Sequence, residues 1–131
     1  MERKNYLIDT NVAIYYFGLT LSTESEKFIE QILCAGYYIS VINRIELLGF
    51  KRISENEADA FNSFISNSII LDLEEEVIIE TIKLRKKYNI KLPDAIIAAT
   101  CIVNDCSLIT NNIKDFEQII ELRSVKAEKR P

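Results

Sequence analysis

Three carboxylates, Asp9, Glu46 and Asp94, stand at the ends or starts of short apolar segments, and a polar group, Thr110-Asn111-Asn112 with Asp115, lies toward the end of the chain. The chain has no His, which excludes Ser-His-Asp, Cys-His and His-based acid–base schemes. Catalysis then falls to carboxylates, Lys, Tyr, Ser or Thr, or a bound metal. Taken singly, each acid has a structural role: Asp9 caps a helix, Asp94 complements a helix dipole, Glu46 pairs with Lys or Arg. Their surroundings argue otherwise. Asp9 is framed by Leu7-Ile8 and Val12, Glu46 by Ile45 and Leu47-Leu48, and Asp94 by Leu92 and Ala95-Ile96-Ile97. Carboxylates in such frames are expected to be buried, and buried carboxylates are paired or bind metal. No basic residue adjoins Asp9 or lies in the apolar run after Asp94. A hard divalent cation with oxygen ligands is the natural compensator, and the absence of His and of a CxxC pair points to Mg2+ or Mn2+ rather than zinc. Such a site can hydrolyse a phosphodiester without a His base.

The elements that must position these acids read as alternating short strands and helices. Tyr6-Leu7-Ile8 is a strand ending at Asp9, and Val12 to Phe17 a buried helical turn. Ser22 or Thr23 caps a helix that carries Phe28, Ile29, Ile32 and Leu33 and stops at Gly36. A second strand spans Tyr37 to Val41, and Asn43 is expected to cap the helix through Glu46 and Leu48. Ser54 with Glu57 matches a capping box for a helix through Phe64, and Ile69-Ile70-Leu71 is a third strand. Glu75 to Tyr88 reads as a surface helix with a basic end. Pro93 and Asp94 suit the first turn of a buried helix from Ala95 to Val103. Ser107 to Thr110 reads as a fourth strand, Asp115-Phe116 as a short connection, and Ile119 to Leu122 as a fifth strand. Strands alternating with helices predict a mainly parallel sheet of four to five strands covered on both faces, a three-layer α/β/α fold. In such sheets ligands gather at the carboxyl ends of the strands, where the acids map.

With 131 residues, 48% of them hydrophobic, and only three Gly and two Pro, the chain is expected to form one domain over 1–131, its core about 5–123 and a basic tail over 124–131. Cys34, Cys101 and Cys106 form no metal-binding pair, and Cys101 and Cys106 read as small buried hydrophobes. The apolar runs fall short of the roughly 18 residues that a membrane span needs. The start Met1-Glu2-Arg3-Lys4-Asn5 lacks the features of a signal peptide, so a cytoplasmic location is expected. The net charge of -4 gives no general attraction for polyanions, so any nucleic-acid contact is local. Basic clusters stand at Arg85-Lys86-Lys87 with Lys91, at Arg44 with Lys51-Arg52, and at Lys126, Lys129 and Arg130.

Four segments together resemble a known family. Leu7-Ile8-Asp9-Thr10-Asn11-Val12, Ser40 to Leu47, Leu92 to Ala99 and Leu108 to Asn112 with Asp115-Phe116 look like the successive motifs of PIN domains, especially VapC-type toxins. The resemblance runs from about residue 6 to 122. It implies a metal-dependent endoribonuclease with Asp9, Glu46 and Asp94 as its acidic triad and Mg2+ or Mn2+ as cofactor. A fourth ligand position falls to Asn112 or Asp115, with Thr110 orienting either. Asn11 and Ser40 are implied to be supporting residues. Asp9 and Asp94 are expected to hold the metal while Glu46 positions or deprotonates the attacking water, and the Arg85, Lys86, Lys87 and Lys91 cluster to bind RNA phosphates. The resemblance further implies a VapB-like antitoxin partner, a homodimer and an RNA substrate. Other readings are a PIN-like RNA-processing nuclease outside a toxin–antitoxin system, an inactive binding module, and a phosphatase with Asp9 as nucleophile. The last expects a second Asp where Asn11 stands.

Overall fold

The computed structural model describes residues 4–51 and 53–131, so Met1 to Arg3 and Arg52 of the basic cluster lie outside the described residues. Five strands, β1 (Tyr6–Ile8), β2 (Tyr38–Ser40), β3 (Ile69–Leu71), β4 (Ser107–Thr110) and β5 (Ser124–Lys126), form one sheet in the order β3-β2-β1-β4-β5. Every pairing is parallel. The chain steps outward from β1 through β2 to β3, then crosses back to place β4 on the other side of β1. This reversal opens a crevice beyond the carboxyl ends of β1 and β4.

Side chains alternate across the central strands with a period of two. Leu7 and Leu108 point into one core, Ile8 and Ile109 into the other. The first core is covered by α5 (Glu75–Lys87) and α6 (Leu92–Val103), which contribute Val77, Leu84, Ile97 and Ala98. The second is covered by α1 (Thr10–Phe17), α2 (Thr23–Ala35) and α4 (Glu55–Ser66), through Val12, Ile29, Ile32, Phe61 and Phe64. This is the expected three-layer arrangement. Helix α3 (Val41–Leu48) spans the two layers at the carboxyl edge, with Ile42 packed on the first core and Leu47 in the second. A short α7 (Ile113–Phe116) follows β4.

Local chemistry sets the boundaries. Ser22 caps α2, which ends at Gly36, whose φ of 115° suits a residue without Cβ. Ser54 caps α4 through the Glu57 N–H. Two expectations are corrected. Asn43 does not cap α3: the strand ends at Ser40, whose side chain accepts from the Asn43 N–H while the Asn43 side chain accepts from the Ser40 N–H, so Asn43 sits one turn inside the helix. The fifth strand is Ser124–Lys126, within the stretch read as a basic tail, and not Ile119–Leu122. Ile119 and Leu122 are instead buried in the first core, while Ile120 is exposed.

Candidate active site

Asp9 follows β1, is N-cap of α1, and is buried. Its backbone N–H donates to Ile109 O at 2.9 Å, extending the pairing with β4, and its Oδ1 accepts from the Thr10 N–H at 2.9 Å. Oδ2 accepts from the Thr110 hydroxyl at 2.8 Å. Burial pushes the Asp9 carboxyl from its ordinary 3.8 up to about 6; the hydrogen bonds from Thr110 and Thr10 oppose this, and the negative charges of Glu46 and Asp94 add to it.

Glu46, two turns into α3, accepts the Thr10 hydroxyl proton at Oε1, 2.7 Å away. It is not in the apolar frame expected for it, because Ile45 and Leu48 point to solvent, 62% and 40% exposed, and Glu46 is exposed with them. Asp94 lies in the first turn of α6 and is half-buried. Its pKa is raised by burial first, then by the charges of Asp115 and Glu46, against the opposing effect of Lys91. Asp94 and Asp115 both line a hollow of about 190 Å³ together with Asn89, Ile90, Lys91 and Gln118. A larger hollow of about 410 Å³, lined by Lys4, Tyr6, Phe28 and Tyr37, lies where β1 and β2 begin, at the opposite edge of the sheet from these acids.

Asn112 and Asp115 turn out to be partners: Asn112 Nδ2 donates to Asp115 Oδ2. The Asn112 N–H in turn donates to Thr110 Oγ1 at 3.0 Å. A hydrogen-bonded chain thus runs from Asp115 through Asn112 and Thr110 to Asp9, and on through Asn43 and Thr10 to Glu46. Asn11 Oδ1 accepts from the Asn111 N–H at 3.3 Å and Asn111 Nδ2 donates to Ala127 O, pinning the end of β4. Ser40 is buried as the α3 cap.

Two residues in this network were not singled out for the site from the sequence, Thr10 and Asn43. The Ser40-x-x-Asn43 spacing of a capping box, with Glu46 three residues further along the same helix face, was the available signal for Asn43. The basic cluster divides. Lys91 stands close enough to Asp94 to lower its pKa, whereas Lys87 is paired with Glu121 at 3.2 Å and Arg85 donates to Ile90 O at 3.0 Å.

The donors gathered at this rim are all oxygens, and like charges add to the burial that raises Asp9 and Asp94. That set suits a hard divalent cation. Among the described residues no three His, Cys, Asp or Glu side chains stand close enough together to hold a metal ion as they are.

Solved structures share the architecture. A chain of VapBC2 from Rickettsia felis, bound to a DNA fragment from their promoter, is 25% identical with a TM-score of 0.78, the match covering 94% of this chain and 98% of that one. A chain of a toxin-antitoxin complex from Klebsiella pneumoniae is 31% identical with a TM-score of 0.72, covering 92% and 96%. DNA-bound VapBC from Salmonella typhimurium shares the fold at 24% identity and a TM-score of 0.77, covering 95% and 98%. No curated protein matches the sequence. The family model of the PIN domain matches residues 6–122, and the chain therefore belongs to the PIN domain family.

Proposed function

We propose that this chain is a divalent-metal-dependent endoribonuclease and the toxin of a VapBC-type pair. The observation that carries the reading is the setting of Asp9, a buried carboxylate with no basic partner among the described residues, oriented by Thr110 and Thr10 and pressed by the charges of Glu46 and Asp94. A site that concentrates negative charge in this way is built to receive a cation.

Asp9 and Asp94 would hold Mg2+ or Mn2+, with the charge of Glu46 adding to the field that the ion meets, Asp115 as the fourth carboxylate and Asn112 steadying it. When bound, the ion supplies Lewis-acid stabilisation of charge developing on the phosphate. Glu46 has Oε1 occupied by Thr10, so Oε2 is the atom that receives the proton of the attacking water. A P–O bond to the water oxygen forms, the bond to the leaving ribose oxygen breaks, and that oxygen is protonated from solvent. Lys91, exposed beside Asp94, contacts a backbone phosphate, and Arg85 and Lys86 extend the local positive field, while Lys87 is paired with Glu121.

The toxin–antitoxin assignment rests on the two complexes matched at 25% and 31% identity. It carries with it a VapB-like antitoxin partner, a homodimer and a cytoplasmic location. Among the described residues no helix is long and apolar enough to cross a membrane. Incubating the purified chain with cellular RNA, with and without Mg2+ and a chelator, tests the reading. Metal-dependent endonucleolytic cuts are expected; intact RNA with Mg2+ present contradicts it and favours a binding module.

A further inference from the structure

We propose that Asn43 is a positioning residue that turns the Thr10 hydroxyl onto Glu46 and thereby couples Glu46 to Asp9. The proposal rests on the nuclease reading of those two acids. Asn43 is fully buried on a helix that leaves Ile45, Glu46 and Leu48 exposed. All of its side-chain polar atoms are engaged. Oδ1 accepts from the Ser40 N–H at 2.8 Å, and Nδ2 donates to Thr10 Oγ1 at 3.0 Å and, with a longer reach, to Asp9 Oδ1 at 3.5 Å.

The direction of this chain follows from the donor inventory. A backbone N–H can only donate, so the atom facing Ser40 is the amide oxygen, and the NH2 group is the one turned to Asp9 and Thr10. Thr10 Oγ1 thus receives a proton from Asn43, and its own single proton goes to Glu46 Oε1 at 2.7 Å. One amide therefore reaches both carboxylates, Asp9 directly and Glu46 through one hydroxyl. Glu46 Oε2 is left for the reaction. Helix capping alone does not account for this, because a Gln or Glu at the same position closes a capping box with Ser40 equally well. Asn is short enough to keep its NH2 group within the rim.

A double-mutant cycle tests the proposal. Asn43→Gln keeps the capping acceptor and displaces the amide, while Thr10→Val removes the hydroxyl at nearly constant shape. Both singles are expected to weaken Mg2+ binding, read by calorimetry on the full chain, by about tenfold. Both are also expected to lower kcat for RNA with KM little changed, and the melting temperature of Asn43→Gln to stay near wild type. The double variant is expected to be no weaker than the worse single, since both act in one chain. Additive losses, or wild-type Mg2+ affinity in Thr10→Val, overturn the proposal. That second result decides the matter even where Asn43→Gln folds poorly. Wild-type protein that binds Mg2+ yet cleaves no RNA overturns the nuclease reading instead, and the binding cycle then still decides the role of Asn43.

Discussion

The Thr110 hydroxyl donates to Asp9 Oδ2 at 2.8 Å, across 101 positions of sequence, and Thr110 Oγ1 in turn accepts the Asn112 N–H at 3.0 Å. A single fully buried side chain thereby ties the end of β1 to the end of β4 and to the turn that carries Asp115. It also supplies a hydrogen bond that favours the ionised form of a carboxylate whose burial disfavours it.

Replacing Thr110 by Val removes the donor to Asp9 and orphans the Asn112 N–H. A loss of about 1–3 kcal/mol in stability is expected from the unsatisfied oxygen of the buried Asp9 carboxylate, with Mg2+ affinity falling about 10–100-fold. Chemical denaturation and calorimetry measure the two effects separately. Unaltered Mg2+ affinity would remove Thr110 from the site.

The raised Asp9 pKa sets a pH dependence. Unfolded, the carboxyl releases its proton near 3.8; folded, near 6. The folded state holds the proton more tightly, so the contribution of Asp9 favours folding fully below about 3.8 and is lost as pH rises through about 6. The gap corresponds to about 3 kcal/mol. Asp9→Asn is therefore expected to raise the melting temperature of the metal-free protein at pH 8 and to abolish Mg2+ binding. Since the ion needs the carboxylate, wild-type Mg2+ affinity rises as pH passes through about 6. A metal-free Asp9→Asn variant less stable than wild type at pH 8 would show that the ionised Asp9 does not destabilise the fold.

Asp115 and Asn112 make separable contributions. Asp115→Asn removes a charge that Asp94 feels and is expected to lower cleavage about 10–100-fold. Asn112→Ala frees the Asp115 carboxylate without removing it, so a smaller loss is expected, and none beyond Asp115→Asn when the two are combined. Steady-state cleavage rates for the three variants check the order.

Lys91 stands beside Asp94 at the rim of the acids. Lys91→Ala is expected to weaken RNA binding in every sequence context and to lower the slope of log affinity against log salt by about one. Lys87, already paired with Glu121 and set over the Tyr88 ring, is expected to change neither when replaced by Ala. Filter binding across a salt series separates them.

Much of the fold was legible because local signals and core packing agree. The capping residues Ser22 and Ser54, Pro93 at the start of α6, and the apolar runs of β1, β3 and β4 all lie where the sequence places them. Asn43 misled because Ser40, three residues earlier, wins the cap and draws Asn43 back as its reciprocal partner. Ile119 to Leu122 has the composition of a strand, yet Ile119 and Leu122 pack into the core beneath α6 and β5 forms from the plainer Ser124-Val125-Lys126. Tertiary packing decides such short segments. At the candidate site, the convergence of Asp9, Glu46 and Asp94 on one edge was readable from strand ends and helix starts. The exposure of Glu46 was not, because the apolar neighbours that suggested a core are themselves at the surface. The Asn112–Asp115 bond was beyond reach, since the sequence shows two candidates without their orientation.

Single-turnover cleavage of RNA by the wild-type chain and by Asp94→Asn over a Mg2+ titration decides whether Asp9 and Asp94 form the centre of a metal-dependent ribonuclease. Cleavage is expected to saturate with Mg2+ in the wild type and to fall at least about a hundredfold in Asp94→Asn. Equal cleavage by both, or cleavage that persists in excess chelator, would contradict that assignment.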